Sequence, residues 1–215
     1  MIEGVLFDLD GTFADTAPDL AAALNHVRKQ HRLFPLPLET VRPQASHGAR
    51  GLLKLGFGID QYDPDFALLR ASFLEYYADN ICVHTHLFPG MDTLIDTLEQ
   101  RNLPWGIVTN KPHRFTVPLM KALGYGKRAA CLISGDTCER AKPYPDQLLK
   151  ASEIIGVAPE NCIYLGDDLR DMRAAETAGM SGIIALYGYI DEHANTNSWQ
   201  ADGEISSPLG LLRYL

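Results

Sequence analysis

No stretch of this sequence approaches the roughly 18 consecutive apolar residues of a membrane-crossing helix, so a helical membrane protein is not expected. Basic residues are outnumbered, 19 Lys and Arg against 27 Asp and Glu, and the formal net charge is −8. That is the wrong sign for a nucleic-acid-binding face, although a local pocket can still be positive and take an anionic small substrate. Cysteine is sparse and scattered: Cys82, Cys131, Cys138 and Cys162 form no CxxC pair, which removes the usual zinc and dithiol redox sites. Cys131 and Cys162 sit in apolar runs and read as small buried hydrophobes. Met1-Ile-Glu-Gly4 carries neither a basic stretch nor a cleavage site, so no secretory leader is expected. Reduced thiols in a cytoplasmic protein are the simplest account. There is no internal repeat, no low-complexity tract and no heptad from which an oligomeric state could be read.

What the chain does have is 46% hydrophobic residues, enough for a buried core. Five short apolar runs stand out: Ile2–Phe7, Trp105–Val108, Ala130–Ser134, Cys162–Leu165 and Gly182–Leu186. None alternates with polar residues, as expected of strands covered on both faces. A helical pattern precedes each of the last four. Its apolar markers are Met91, Leu94, Ile95 and Leu98; then Val117, Leu119, Met120 and Leu123; then Leu148, Leu149, Ile154 and Ile155; then Met172, Ala175 and Ala178. Alternating strand and helix predict an α/β fold, a doubly wound parallel sheet. The alternation breaks once. From Asp15 to about Thr85 no strand is predicted; Leu20, Leu24 and Val27, and later Phe66, Leu69, Phe73, Leu74, Tyr77 and Ile81, recur at helical spacing. Thr16-Ala-Pro-Asp19 has the form of a capping box opening the first of these helices. The expected organisation is therefore an α/β core formed by residues 1–14 and 86–215, with an all-helical cap, 15–85, inserted after the first strand.

In open α/β sheets ligands bind at the carboxyl ends of the strands. Four polar stretches fall at or after such ends: Asp8-Leu-Asp10-Gly-Thr12, Thr109-Asn-Lys111, Lys142-Pro143 and Gly166-Asp-Asp-Leu-Arg-Asp171. Together they can handle a phosphate monoester. Asp8 and Asp167 offer hard oxygen ligands that suit Mg²⁺. The Thr109 hydroxyl and the Asn110 amide offer donors to phosphate oxygens, and Lys142 a point charge. One carboxylate can attack phosphorus while a second acid protonates the leaving oxygen.

DLDGT, TNK, a later Lys-Pro and GDDLRD, in that order, resemble the four motifs of the haloacid dehalogenase superfamily, and the helical insertion resembles that superfamily's C1-type cap. The resemblance implies that Asp8 is the nucleophile and Asp10 the general acid/base, that Thr109 binds phosphate and that Lys142 is the lysine of the third motif. It further implies that Asp167 is a direct Mg²⁺ ligand, that the Asp10 carbonyl is another, and that Asp171, with or without Asp168, belongs to a water-mediated outer shell. Phe13 stands where an aliphatic residue is commoner. Asp15-Thr-Ala-Pro-Asp19, Thr109-Asn-Lys-Pro112 and Lys142-Pro-Tyr-Pro145 are similar to bacterial phosphoglycolate phosphatases. Gly48-Ala-Arg50, Val83-His84, Trp105-Gly106 and Tyr187-Gly-Tyr-Ile190 followed by Trp199-Gln-Ala-Asp202 lie closer to a branch of that family, the N-acetylmuramic acid 6-phosphate phosphatases.

The implied function is hydrolysis of a small phosphorylated metabolite, with no nucleic-acid or membrane partner. A sugar-phosphate mutase or a non-catalytic binding protein on the same scaffold are the alternatives. A calcium loop at Asp8–Asp19 is disfavoured, because its sixth and twelfth positions are Phe13 and Asp19 rather than Gly and Glu. Among cap residues Arg50 is the candidate for substrate contact, with His47 weaker. Lys111 and Arg114 are open. The His84/His86 pair reads as structural or exposed, and Tyr187, Tyr189 and Trp199 as packing of the C-terminal tail.

Overall fold

The computed structural model describes residues 1–191 and 193–215. The chain opens with β1 (Gly4–Phe7), a short β2 (Ala14–Asp15) and four helices, α1 (Ala17–Gln30), α2 (Leu38–Val41), α3 (Gly48–Phe57) and α4 (Phe66–Asp79), before β3 (His86–Leu87). Helix and strand then alternate: α5 (Met91–Gln100), β4 (Trp105–Val108), α6 (His113–Ala122), β5 (Cys131–Ile133), α7 (Asp146–Ile155), β6 (Cys162–Gly166), α8 (Leu169–Ala178) and β7 (Ser181–Ala185), followed by β8 (Gly203–Ile205).

Six strands form one parallel sheet in the order β5-β4-β1-β6-β7-β8. β1 is pinned between β4 and β6, with Val5 opposite both Trp105 and Ile163. The chain winds outward from β1 through β4 to β5, returns to the other side of β1 as β6, and winds outward again. The switch in direction leaves a crevice beyond the carboxyl ends of β1, β4 and β6, where ligands bind in such sheets.

Successive strand residues face opposite layers. Val5, Phe7, Trp105, Ile107, Ile163 and Leu165 pack against Met91, Leu94, Leu98, Leu119 and Met120 of α5 and α6. Leu6, Val108, Cys162 and Tyr164 pack on the other side against Leu148 and Ala151 of α7 and Ala174, Ala175 and Ala178 of α8. Both faces are covered, which explains the unalternating apolar runs. Phe13 has a partner: it is fully buried and stacks on Trp105 with ring centres 5.6 Å apart, while Tyr125 meets it edge-on.

Two helix faces differ from expectation. α6 buries Phe115, Thr116, Leu119 and Met120, leaving Val117 and Leu123 only half-buried. α7 buries Gln147, Leu148, Ala151 and Ser152, so Leu149 and Ile154 lie exposed on its outer side. In α7 a polar residue, Gln147, holds a core position because its amide is needed there, as shown below. The strand β8 carries no apolar run and was not anticipated; it joins through Ile183 opposite Gly203.

α1 to α4 share a cluster built on Leu20, Leu24, Val27, Leu52, Leu53, Leu69, Phe73 and Tyr77, which Phe88, Phe115 and Tyr189 join from later in the chain. The two chain crossings between this layer and the sheet lie side by side, because β2 and β3 pair antiparallel with Ala14 opposite Leu87 and Asp15 opposite His86. The capping box read at Thr16–Asp19 does not form. Neither side chain caps α1. The Thr16 hydroxyl donates instead to Asp10 Oδ1 at 2.6 Å. The buried Asp19 carboxylate accepts from the backbone N–H groups of Val83, His84 and Thr85 and from the Thr85 hydroxyl at 2.7–3.1 Å. Asp19 thus ties the first crossing to the second.

Candidate active site

Asp8 follows β1, Thr109 follows β4 and Asp167 follows β6, so the sheet alone brings these three together. Lys142 arrives on the loop between β5 and α7, and a buried amide pair fixes it there. Its backbone N–H donates to Asn110 Oδ1 and to Gln147 Oε1, both at 3.0 Å, and its carbonyl accepts from Asn110 Nδ2 at 2.9 Å. Gln147 also donates to the carbonyls of Thr109 and Ser134. The Asn110 side chain thus spends both ends on positioning Lys142, so any contact of Asn110 with phosphate falls to its backbone, which the sequence favours over the side chain. The Thr109 hydroxyl accepts from the Lys111 N–H at 3.1 Å and keeps its own hydrogen to donate.

The Lys142 ammonium sits 2.9 Å from Asp8 Oδ1 and 2.7 Å from Asp171 Oδ1, and donates to Tyr164 Oη at 2.6 Å. Burial works against the charge of Lys142, but the two carboxylates outweigh it and hold its pKa above the usual lysine value. Asp8 is pushed up to about 6 by burial, with Lys142 pulling the other way and Asp171 and Asp10 adding repulsion. Asp167 is raised well above the carboxylate range by burial and then by the charges of Asp8 and Asp171. The Tyr189 N–H, 2.7 Å from Oδ2, and the Thr12 hydroxyl, 3.0 Å from Oδ1, oppose that rise.

Two glycines let the backbone approach Asp167. Gly11, at φ +86°, and Gly188 each lie where a Cβ would collide with its side chain. Neither Gly188 nor the Tyr189 amide stood out in the sequence as part of the site. A tight Gly between two tyrosines after the last apolar run was the available signal.

Asp8, Asp167 and Asp171 bring carboxylate oxygens within 4.8 Å of one another, all buried. Three acids face one lysine, whose ammonium lies 2.9 Å from Asp8 Oδ1 without the geometry of a hydrogen bond. A hard divalent cation fits this set: the ligands are oxygens, and three clustered carboxylates exceed one ammonium in charge. Asp171 has both oxygens engaged, Oδ1 by Lys142 and Tyr164 and Oδ2 by the Asp168 N–H. Asp168 lies outside the cluster. It caps α8 by accepting from the Arg170 N–H at 2.8 Å, and its carboxylate is forked by the Arg170 guanidinium. That pairing overrides burial and keeps its pKa low.

Asp10 is the second acid of the cleft. Its Oδ1 accepts from the Lys111 ammonium at 2.8 Å and from Thr16, while the Lys111 ammonium also lies 4.7 Å from the centre of the Tyr77 ring. Burial would lower the Lys111 pKa, but the Asp10 carboxylate reverses this and raises it. So Lys111 belongs to the site. Arg114 instead stacks on Phe115. His84 and His86 are exposed in the second crossing. Tyr189 holds the first crossing, donating to Asp15 Oδ1 and accepting from the Ala17 N–H, both at 2.8 Å, and Tyr187 donates to the Thr12 carbonyl.

A cavity of about 290 Å³ lies over Asp8, Asp10, Thr109, Lys111 and Lys142. Its roof comes from α1, α3 and α4 and from the turn before α3. Arg50 and His47 line it, and so does Arg70, which no sequence motif singles out. The turn also touches the core directly. Ser46 Oγ is 3.4 Å from Asp167 Oδ2, and the Ser46 carbonyl accepts from Arg170 Nη2 at 3.0 Å.

A doubly wound sheet with an acidic, lysine-braced crevice under a helical layer defines a capped α/β phosphatase. The chain belongs to the haloacid dehalogenase-like hydrolase family, whose model matches residues 5–185. It is 38% identical, over 100% of its own length and 95% of the other's, to an N-acetylmuramic acid 6-phosphate phosphatase of Pseudomonas aeruginosa. It is 41% identical to a phosphoglycolate phosphatase of Xanthomonas campestris pv. campestris, covering 95% and 92% of the two chains. The fold is shared with the crystal structure of a predicted phosphoglycolate phosphatase from Haemophilus somnus 129pt, with a TM-score of 0.87, 24% identity and coverage of 99% and 97%. Among the described residues no helix is long and apolar enough to cross a membrane.

Proposed function

We propose that this protein is a Mg²⁺-dependent phosphomonoesterase of the cytoplasm that hydrolyses a small phosphorylated acid, N-acetylmuramic acid 6-phosphate or 2-phosphoglycolate. The observation that carries the reading is the cavity. Its floor holds two differently braced carboxylates, and its roof is apolar through Leu20, Phe73, Leu74 and Tyr77. A two-carbon acid has little to offer such a roof, whereas a sugar ring does. The cavity size, about 290 Å³, also approaches that of sites holding ligands larger than a two-carbon acid. Both features favour the muramate over the glycolate.

Asp8 and Asp167 would hold the cation together with the Asp10 carbonyl, with Asp171 in the outer shell. Bound there, Mg²⁺ offsets the repulsion between an anionic nucleophile and an anionic phosphate. Asp8 attacks phosphorus; the bond to the leaving oxygen breaks, and its electron pair takes the proton of Asp10. Lys111 and Thr16 both engage Asp10 Oδ1, which leaves Oδ2 to carry that proton. Water then attacks the phosphorus and gives its proton to Asp10, and the bond to Asp8 breaks with the electron pair returning to the carboxylate. Thr109 and Lys142 stabilise the charge on the phosphoryl oxygens. The helical layer closes over the substrate through β2 and β3 and excludes bulk water.

Initial rates with and without Mg²⁺ test this on the two acids and a panel of sugar phosphates. The expected result is Mg²⁺-dependent phosphate release, fastest with N-acetylmuramic acid 6-phosphate. Equal rates after chelation, or isomerisation without phosphate release, would contradict it.

A further inference from the structure

The two halves of the cavity carry charge differently. On the floor, Asp8, Asp10, Asp168 and Asp171 line the cavity and each has a lysine or arginine against it. The roof contributes no acid to the cavity wall. It contributes Arg50 from the first turn of α3 and Arg70 from the second turn of α4, both exposed. Among the described residues neither guanidinium has a hydrogen bond or ion pair. This happens in a chain of net charge −8, where acidic partners are plentiful.

Tyr77 gives this wall its direction. It lies two turns beyond Arg70, on the same face of α4, and lines the same cavity. Its ring lies 4.7 Å from the Lys111 ammonium, which is paired with Asp10, so Tyr77 stands at the catalytic end of that face and Arg70 away from it. Two unpaired guanidiniums on the roof suit a ligand that is anionic at the end away from the phosphate. A guanidinium fork matches a carboxylate in two parallel hydrogen bonds.

We propose that Arg70, acting with Arg50, is a specificity-determining residue that binds a carboxylate on the leaving group. Phe73 and Leu74, between Arg70 and Tyr77 on α4, seat the carbon skeleton that separates carboxylate from phosphate. This rests on the phosphomonoesterase reading and assigns recognition of the substrate's acid group to named roof residues.

Pairs of substrates that differ mainly in the carboxylate test it: N-acetylmuramic acid 6-phosphate against N-acetylglucosamine 6-phosphate, and 2-phosphoglycolate against ethyl phosphate. The wild type should prefer the acid of at least one pair in kcat/KM. Arg70→Met should cut that acid-to-neutral ratio at least tenfold, through the KM of the acid, and Arg70→Lys should regain part of it. Arg70→Glu should abolish the acid preference. A wild type without acid preference, or a ratio that Arg70→Met leaves intact, overturns the subsite and leaves the phosphatase standing. Failure of the wild type to hydrolyse any phosphate ester with Mg²⁺ would instead overturn the phosphatase reading.

Discussion

The floor and the roof of one cavity are built on opposite plans. On the floor the charged groups are buried or nearly so, and each is braced by an opposite charge before any substrate arrives: Lys142 lies between Asp8 and Asp171, and Lys111 against Asp10. On the roof Arg50 and Arg70 are exposed and unpaired, supported by an apolar helix layer rather than by counter-charges. The difference teaches how labour is divided. Bond making and breaking depends on groups whose positions and protonation are set in advance. Recognition is left to groups that acquire their partner from the ligand.

The comparison breaks most visibly if a floor residue proves dispensable. Asp8→Asn removes the attacking oxygen anion and should lower kcat by at least about 10³-fold, with the circular dichroism spectrum retained; near-normal turnover would remove Asp8 from its role. Next comes Lys142→Met, which leaves Asp8 and Asp171 facing each other without their cation. Breaking such a buried pair costs about 3–5 kcal/mol, measurable by urea unfolding of the metal-free protein, and a loss below about 1 kcal/mol would mean that the lysine is not the brace it looks. The crossings between floor and roof come third. Asp19→Ala orphans three N–H groups and a hydroxyl and should cost about 2–3 kcal/mol, while Asp19→Asn should recover part of that.

The smallest effect is one of pH, and it belongs to the floor. Asp8 is lifted to about 6 by burial, and burial also raises Asp167 well above the carboxylate range, against unfolded values of about 4. Between those values the folded chain holds protons that the unfolded chain has released, so stability falls as pH rises through the folded pKa. This contribution is fully present below the unfolded values and lost above the folded ones. The metal-free protein should therefore melt at lower temperature at pH 7.5 than at pH 5, and Mg²⁺ should raise the melting temperature more at pH 7.5. Equal stabilisation by Mg²⁺ at the two pH values would contradict the buried-acid account.

The same division governs how far the sequence could be read. The floor was legible because strand ends are fixed by the sheet: an apolar run followed by Asp8, Thr109 or Asp167 places each in the crevice whatever the loops do. Lys142 was legible as chemistry, but its bracing by Asn110 and Gln147 was not, since that depends on a tertiary contact between two loops. The capping box at Thr16–Asp19 misled because both side chains are recruited across the crossings, where tertiary partners outbid the local cap. Leu149 and Ile154 misled because a buried glutamine had taken their face of α7. Asp168 carried the right residue type one position from the cluster, and only the helix geometry shows that it caps. Arg70 was invisible because the register of α4 against the cavity follows from packing of Leu69, Phe73 and Tyr77, not from any property of the arginine itself.

The claim on which the rest depends is that Asp8 is the group that takes the phosphoryl. The direct measurement uses Asp10→Asn with p-nitrophenyl phosphate, a substrate whose leaving group needs no proton, followed by rapid acid quench and peptide mass spectrometry. The expected result is one phosphoryl group on the peptide that contains Asp8, located at that residue. Turnover with no phosphoryl group on Asp8, or with the group on another side chain, would contradict the account.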